Sequence, residues 1–426
     1  MALSLTTSAE RAPAHDERGA REGMRRVDAS RAASRVSPFE TRVITTPEAL
    51  AELSSQWNEL LQNSRANCIF LTWEWISTWI STVQPEASLL VVAICERNGR
   101  LVALAPFYRT QMRLLGLVRY RCLRVLGDDE SGAEYPDVII RDGCEVEALP
   151  LIRQALLGER RCWDCIWLPR LAGWTGARER LTGLASHGVP YCQEREHDFA
   201  AVALPATHDE YLMLLAHKRR AYIRRETRRL LGQPGAKLIS AGAEDELASL
   251  LAGLFDLHRQ RWQTVAEPGS FVRCPRMARF YEQFAPLALR RGWLRLHGLV
   301  VDGRLRAVQY GYAFAGSYHA MQEGYEPNES VAYGNVLRNL VFKACIAEGL
   351  VQYDFLGHYS DHKRLWRATR RVGHDVLIGR NAVRNAILFT GRVWPTGRYL
   401  RDEGRPLRKA PFRGAGGINA GSVADA

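Results

Sequence analysis

A glycine and an asparagine before a predicted helix are the residues of this sequence whose types and spacing best suit phosphate binding. The segment 329–335 ends in Gly334-Asn335, and a helical apolar pattern from Val336 to Glu348 follows directly. The first N–H groups of a helix have no partner within it and attract anions, and a glycine allows a close backbone approach. The pattern indicates a pyrophosphate site, with an ordinary helix cap at Gly334 or Asn335 as the alternative.

Several well-known catalytic signatures are missing from the sequence. It has no GxxxxGK[ST] loop, no GxGxxG, no HExxH and no GxSxG. These patterns carry nucleotide hydrolysis, dinucleotide binding, zinc proteolysis and the nucleophile of α/β-hydrolases, respectively. Their absence weakens the readings as ATPase, dehydrogenase, zinc protease and α/β-hydrolase.

The elements that must position the glycine and asparagine form a regular succession. From residue 293 to residue 379 the pattern predicts three strands, a loop, a helix, a strand, a short helix and a last strand. The first half shows a related rhythm, with a hairpin signal at Asn98-Gly99. Two blocks, each with a hairpin followed by βαβ elements, suggest a duplicated lobe.

Six stretches of the sequence carry a resemblance to a known family. They are Phe70 to Trp79, Lys218 to Leu230, Leu257-His-Arg-Gln-Arg-Trp262, Tyr333-Gly-Asn-Val-Leu337, Gly349-Leu-Val-Gln-Tyr-Asp-Phe-Leu-Gly357 and His362-Lys-Arg-Leu-Trp366. Together they resemble the CelD-like, BioF2-like acetyltransferases of the GNAT superfamily, a group associated with cellulose and exopolysaccharide operons. The match covers about 208–380 and the aromatic start of the first lobe.

The resemblance implies an α+β fold of tandem GNAT-like lobes, each a mixed, mainly antiparallel sheet flanked by helices. It implies acetyl-CoA or another acyl-CoA as donor and a small-molecule or sugar amine as acceptor. The predicted donor-binding residues are Tyr333, Gly334, Asn335 and Val336. The glycine at 357 stands one place early, His362 replaces an expected tyrosine, and the usual Gln/Arg-x-x-Gly-x-Gly/Ala loop is missing.

Transfer to an ammonium acceptor needs a base and a proton donor. The base candidates are Glu323, near the end of a strand, and Asp354, on the next strand. Tyr325, Tyr359 or His362 could protonate the leaving thiolate, and Lys363 follows in the family's Asp-Phe-Leu…Lys pattern. In the alternative readings Glu323 lies on a solvated strand face, and Asp354 forms a structural ion pair with Lys363.

Two further features are candidates for acceptor binding. His258 and Trp262 lie one helical turn apart, and they either line the acceptor site or form part of an amphipathic face. The helix from Lys218 to Arg229 repeats arginine every four residues, including Arg224, and could contact an anionic acceptor, a CoA phosphate or a nucleic acid. The alternative is a solvated surface helix.

Composition limits the partners. The net charge is +12, but only five basic residues are lysines, a bias typical of genome composition, so no DNA partner is expected. Nine scattered cysteines indicate reduced thiols, and the lone CxxC at Cys162 and Cys165 has no second ligand pair for a metal. No apolar run is long enough for a membrane span and no secretory signal is recognised, which favours a cytoplasmic protein.

The predicted organisation is a disordered segment 1–38, an N-terminal lobe 39–205, a C-terminal acyltransferase lobe 206–385 and a flexible tail 400–426. Three functions fit this organisation. The first is an acyl-CoA-dependent N-acyltransferase, with a role in polysaccharide or envelope biosynthesis implied by the resemblance. The second is a Fem-like transferase that takes aminoacyl-tRNA, the only reading with a tRNA partner. The third is a degenerate GNAT pair that serves as a scaffold.

Overall fold

The computed structural model describes most of the two predicted lobes. The described residues are 24–26, 38–114, 118–128, 130–185, 191–264, 268–327, 331–380 and 400–402. Most of the two terminal segments predicted to be disordered therefore lies outside the described residues. Within those segments, two short strands are described, β1 (Met24–Arg26) and β15 (Leu400–Asp402).

The first half contains seven further strands and five helices among its described residues. In chain order these are β2 (Phe39–Ile44), α1 (Pro47–Ala51), α2 (Ser54–Gln62), α3 (Trp73–Thr82), β3 (Ser88–Glu96), β4 (Leu101–Leu114), β5 (Val118–Val125), β6 (Ile139–Ile140), α4 (Glu145–Gly158), β7 (Cys165–Ala172), α5 (Ala177–Thr182) and β8 (Tyr191–Ala203). The Thr72 hydroxyl accepts a hydrogen bond from the Trp75 N–H and so caps α3.

The second half repeats this succession. Its elements are α6 (His208–Leu214), α7 (His217–Leu231), β9 (Lys237–Ser240), α8 (Glu244–Gln263), α9 (Ser270–Arg273), α10 (Pro275–Arg290), β10 (Leu294–Val301), β11 (Arg304–Phe314), β12 (Ser317–Tyr325), α11 (Tyr333–Ala347), β13 (Gln352–Gly357), α12 (Asp361–Arg364) and β14 (Thr369–Gly379). Gly349, with φ +76°, follows the end of α11 as the sequence predicts.

One continuous sheet joins the two halves. Its order is β1-β2-β3-β4-β5-β7-β14-β8-β13-β12-β11-β10-β9, with β6 and β15 also paired to β4. Neighbours are antiparallel except for the pairs β5/β7 and β12/β13. The predicted α+β class with a mixed, mainly antiparallel sheet and flanking helices is confirmed.

Two strands exchange between the halves. β14, near the end of the second half, lies between β7 and β8 of the first half. β8, the last strand of the first half, pairs with β13 of the second. The sheet therefore has no free edge at the junction between the predicted lobes.

Buried aromatic side chains connect the halves behind the sheet. Trp75 and Trp79 are fully buried. The Trp75 ring lies 4.6 Å from that of Phe280 and 4.9 Å from that of Phe284, both on α10. A second cluster holds α11 against β13, where the Phe342 ring stacks on Tyr353 at 4.1 Å. No helix among the described residues is long and apolar enough to cross a membrane.

Candidate active site

The parallel strands β12 and β13 separate part-way along their length. Ser317 pairs with Gln352, Tyr318 with Tyr353 and His319 with Asp354, and the pairing ends there. β12 continues to Tyr325 and β13 to Gly357. We call residues 320–325 and 355–357 beyond this point the divergence. Two strands that stop pairing leave room for a ligand between them, because their backbone groups no longer bind each other.

Helix α11 begins beside the divergence without a side-chain cap. Its N-cap residue is Ala332, and the first intrahelical bond runs from the Val336 N–H to the Ala332 carbonyl at 3.0 Å. The N–H groups of Tyr333, Gly334 and Asn335 thus face the start of the helix. Such uncapped groups suit an anion. The alternative of a cap formed by Gly334 or Asn335 does not hold, because both residues are inside the helix.

Gly334 is required by a neighbouring side chain. A Cβ at this position would lie 2.7 Å from Cδ1 of Tyr325. The space that the glycine leaves is therefore filled by the Tyr325 ring. Packing against Tyr325 is thus a structural reason for the glycine, and the approach of a phosphate to its N–H stays a prediction.

Asn335 is held by an arginine of the basic helix α7. This arginine is Arg219 and not Arg224, the residue predicted to contact an acceptor or a phosphate. The Arg219 guanidinium donates to Asn335 Oδ1 at 3.0 Å and lies 4.8 Å from the centre of the Trp366 ring. Burial lowers the pKa of Arg219. Arg224 is instead 45% exposed in its side chain and pairs with Asp209. Arg219 is thus the arginine that α7 brings to the predicted donor site.

Glu323 belongs to a chain of charged groups. It accepts hydrogen bonds from Arg261 at 3.0 Å and from Arg338. Burial disfavours the charged carboxylate, but the Arg338 and Arg261 guanidiniums outweigh burial and lower its pKa to about 2. A carboxylate with so low a pKa is a weak base at neutral pH. These contacts favour an ion-pair role for Glu323 over the predicted base role.

His362 and Tyr325 lie at the two ends of this chain. Arg338 Nη1 is 2.7 Å from His362 Nε2. An arginine only donates, so this His362 nitrogen accepts and the other carries the proton. Burial and the Arg338 charge lower the pKa of His362 to about 4, which leaves the ring neutral at pH 7. Arg261 lies 4.7 Å from the centre of the Tyr325 ring.

Asp354 and Lys363 make separate contacts rather than a direct ion pair. Asp354 is buried and accepts from the Tyr135 hydroxyl at 2.9 Å and from the Leu356 N–H at 2.8 Å. The Lys363 amino group donates to the carbonyls of Phe355, Leu356 and Gly357. Burial lowers the pKa of Lys363 to about 8. Lys363 therefore holds the end of β13 in place through its backbone.

His258 and Trp262 contact each other on α8. The Trp262 indole N–H donates to His258 Nε2 at 3.0 Å. Burial lowers the pKa of His258 to about 4, so the ring is neutral at pH 7. His258 is buried, whereas Trp262 is partly exposed. His258 thus lies on the buried side of an amphipathic helix, as in the alternative interpretation. Of the two residues, only Trp262 has a surface that is accessible to solvent.

The first half supplies site residues that sequence reasoning missed. Tyr135 reaches Asp354 across the junction. Beside this contact lies a pocket of about 110 Å³. Its polar and aromatic lining includes Tyr135, Asp137, Trp174, His319, Asp354 and Arg371. The acidic and aromatic run Glu134-Tyr135-Pro136-Asp137 was the available signal, but Asp354, the partner of Tyr135, lies 219 residues further along the chain.

One family model matches part of the second half. Residues 217–364 match the family model of an acetyltransferase (GNAT) domain. We refer to the matched residues as the GNAT domain. The domain spans β12, α11, β13 and α12 and thus contains the divergence. It supports the predicted enzyme class, an N-acyltransferase, while the CelD-like or BioF2-like subgroup remains a prediction.

One solved structure shares the overall fold of this chain. A structure described as FemX has a TM-score of 0.55 and 11% sequence identity, and the match covers 78% of this chain and 98% of that chain. At this identity the likeness shows a shared fold.

More distant similarity extends to two other solved structures. One is the C-terminal domain of a putative lysylphosphatidylglycerol synthetase from Agrobacterium fabrum, with a TM-score of 0.46, 10% identity and coverage of 80% and 96% of the two chains. The other is a tandem GNAT protein from the clavulanic acid biosynthesis pathway, with a TM-score of 0.40, 12% identity and coverage of 80% and 99%. A search of curated protein sequences gives no significant match.

Proposed function

We propose that this protein transfers an acyl group from acyl-CoA to an amine acceptor. The observation that carries the proposal is the position of the divergence and of the uncapped α11 start inside the GNAT domain. An acyl-CoA needs a site for its pyrophosphate and an opening that receives its thioester. The helix start offers the first and the divergence offers the second.

The donor site is built from a helix start and a neighbouring cation. The N–H groups of Tyr333 to Asn335 would bind pyrophosphate oxygens, assisted by the positive end of the helix dipole. Arg219 lies next to them through its bond to Asn335. The donor set is therefore suited to a diphosphate, which fits acetyl-CoA or a longer acyl-CoA as co-substrate and requires no metal.

The chemistry is an acyl transfer in which one C–N bond forms and one C–S bond breaks. The acceptor loses a proton to a base, and its nitrogen attacks the thioester carbonyl carbon. The tetrahedral intermediate expels the CoA thiolate, and the second proton of the nitrogen accompanies the thiolate as it leaves. Tyr325 and His362, beside the divergence, are the candidate groups for this second proton, and Asp354 and Lys363 position the end of β13.

Titration calorimetry with acetyl-CoA and a longer acyl-CoA tests the donor site. Asn335→Asp keeps an oxygen for Arg219 and adds a negative charge in the first helical turn, where it stabilises the helix but repels a phosphate. We expect wild-type binding, a loss of about tenfold or more in Asn335→Asp, and a much smaller loss in the neutral control Asn335→Ala. If the wild type binds neither donor, the CoA proposal is wrong.

A Fem-like transfer from aminoacyl-tRNA is the second candidate, favoured by the arginines on α7. Arg224, Arg225, Arg228 and Arg229 are all exposed on this helix. An exposed basic face suits a nucleic-acid backbone, and such binding weakens steeply with salt. Ribonuclease-sensitive transfer, with tRNA affinity that falls as salt rises, would support this candidate over acyl-CoA. Absence of transfer from both donors, in a protein that still binds acyl-CoA, would favour the scaffold reading.

The acceptor class comes from the family resemblance alone. That resemblance favours an amino sugar or another amine of polysaccharide or envelope biosynthesis. Glucosamine is therefore the first acceptor to assay, with loss of the acetyl-CoA thioester followed spectrophotometrically.

A further inference from the structure

A segment of the first half runs across the divergence of the second half. A Cβ at Gly132 would lie 3.4 Å from Cε of Met321 on β12 and 3.5 Å from the Tyr281 hydroxyl. Two residues later, a Glu134 carboxylate oxygen would lie 2.9 Å from a Cβ at Gly357 on β13. Tyr135 then bonds Asp354. Residues 131–137, which we call the crossing segment, thus pass from β12 to β13.

The backbone around the crossing segment is held in an uncommon conformation. Tyr135, Arg170, Leu356 and His358 are non-glycine residues with φ values of 60°, 59°, 58° and 54°. The Tyr135 N–H donates to the Arg170 carbonyl at 3.3 Å, which joins two of these positions. Left-handed non-glycine residues cost free energy and cluster where a structure positions functional groups. The two joined positions are the chain neighbour and the ion-pair partner of Glu134, which restrict where its carboxylate lies.

Glu134 retains a free oxygen in this position. Its side chain is 9% exposed, and one carboxylate oxygen lies 3.5 Å from the Arg170 guanidinium. The other oxygen, Oε2, is buried and has no hydrogen-bond partner among the described residues. A buried polar oxygen without a partner is costly, and a catalytic or ligand-binding role is one of the reasons for which a structure retains it. Glu323 and Asp354 differ, because each of their carboxylate oxygens has a hydrogen-bond donor. The donors are two arginines for Glu323, and an O–H and an N–H group for Asp354.

We propose that Glu134 is the general base of the acyl transfer, taking the proton from an ammonium group of the acceptor at the divergence. This inference rests on the proposed function and adds a catalytic residue from the opposite half of the chain. One N–H proton passes to Glu134 Oε2, which frees the nitrogen lone pair for attack on the thioester carbon. The acceptor is therefore an amine that is charged in solution and loses its proton only when bound.

The surroundings of Glu134 agree with this role. Burial raises the pKa of the carboxyl to about 7. The Arg170 charge on β7, the Lys363 charge on α12 and the Gly357 N–H on β13 act in the opposite direction, whereas the Asp354 charge on β13 raises the pKa further. A base whose pKa lies near the working pH is the most effective proton acceptor. Activity should rise as the pH increases through about 7.

The titration of Glu134 is the first test. We would label the glutamate carboxyl carbons with ¹³C and follow their NMR shifts with pH in the full chain, using Glu134→Gln to assign the signal. We expect one carboxyl that titrates near 7 and is missing in the variant. A Glu134 signal that titrates at the ordinary value of about 4.3 would overturn the proposal, whether or not an acceptor has been found.

The second test compares two acceptors with acetyl-CoA as donor. With glucosamine, Glu134→Gln should lower the turnover rate by about 10²- to 10⁴-fold while donor affinity stays unchanged. With hydroxylamine, which is already uncharged at neutral pH, the loss should be much smaller. Arg170→Gln removes a charge that favours the carboxylate, so its activity profile should shift to higher pH. The distant carboxylate variant Glu282→Gln serves as the control.

The outcomes separate this inference from the proposed function. If wild type binds acetyl-CoA and acetylates an amine, but Glu134→Gln does so equally well at every pH, Glu134 is not the base. If Asp354→Asn instead abolishes transfer while Glu134→Gln does not, the base is Asp354. If wild type does not bind acetyl-CoA at all, the proposed function fails and the base role fails with it.

Discussion

At the scale of single residues, four side chains beside the divergence form a row of ion pairs and hydrogen bonds. Arg261, Glu323, Arg338 and His362 contact one another in that order and connect α8, β12, α11 and α12. The Arg338 side chain is only 5% exposed, so it depends on the Glu323 carboxylate for its charge to be tolerated. This row fixes one side of the divergence, where the predicted donor would enter.

Glu323→Gln should therefore act mainly on stability. The substitution leaves the buried Arg338 guanidinium without its counter-charge, which costs about 3–5 kcal/mol. Urea unfolding at pH 7 measures this loss. Because the folded-state pKa of Glu323 is lowered to about 2, its stabilisation is present above the ordinary glutamate pKa and is lost as the pH falls towards 2.

A second substitution provides the control for Glu323. Adding Arg338→Met removes the stranded charge and should recover much of the lost free energy of unfolding. An unfolding midpoint unchanged in Glu323→Gln, combined with abolished transfer activity, would contradict the ion-pair role and restore the base role.

At the scale of secondary-structure elements, helix α11 packs closely against strand β12 at Gly334, where the absence of a Cβ leaves room for the Tyr325 ring. Gly334→Ala would improve intrinsic helix propensity by about 1 kcal/mol. The new Cβ would, however, lie 2.7 Å from Cδ1 of Tyr325, and overpacking of this kind costs about 1–3 kcal/mol. We expect the clash to outweigh the propensity gain, so that chemical denaturation shows a net loss of stability.

The Tyr325 ring provides the control for this prediction. In a Tyr325→Val background the clash is removed, and Gly334→Ala should then be neutral or stabilising. Equal losses in both backgrounds would show that Gly334 is required for another reason, such as a ligand at the helix start.

The secondary-structure elements differ in how far the sequence predicts them. Helix α11, its terminal Gly349 and the hairpin turn at Gly99 follow from local periodicity and glycine conformation. The sequence does not predict which face of α7 points inward. Arginines occur all round that helix, and only packing determines that Arg219 rather than Arg224 faces the predicted donor site. The divergence is likewise invisible in the sequence, since it depends on where two distant strands stop pairing.

At the scale of the whole molecule, two strands cross between the predicted lobes. The boundary predicted at residues 205 and 206 lies between the end of β8 and the start of α6. Sequence patterns could not show that β8 pairs with β13 and β14, because strand partners are chosen by non-local contacts. The same crossing brings Glu134 and Tyr135 to the GNAT domain, which explains why sequence reasoning placed every catalytic candidate in the second half.

The crossing predicts that the two halves fold as one unit. Strand β14 pairs with β8 along all of its 11 residues and separates β8 from β7. A fragment of residues 39–205 would lack β14 and leave β7 and β8 with unpaired edges, which promote aggregation. We expect this fragment to be insoluble or unfolded when expressed alone, and to become soluble when residues 206–426 are expressed with it.

Calorimetry of the intact chain tests whether the two halves unfold together. A sheet and a core that run through both halves should unfold in one cooperative transition, because loss of β14 from one half removes a strand from the other. Gly373→Val offers a point test, since a Cβ there would lie 2.3 Å from the Leu171 carbonyl oxygen. This single change should lower the melting temperature of the whole transition. Two separate transitions, with only one shifted by Gly373→Val, would mean that the halves are independent and that the Glu134 contact forms only after both have folded.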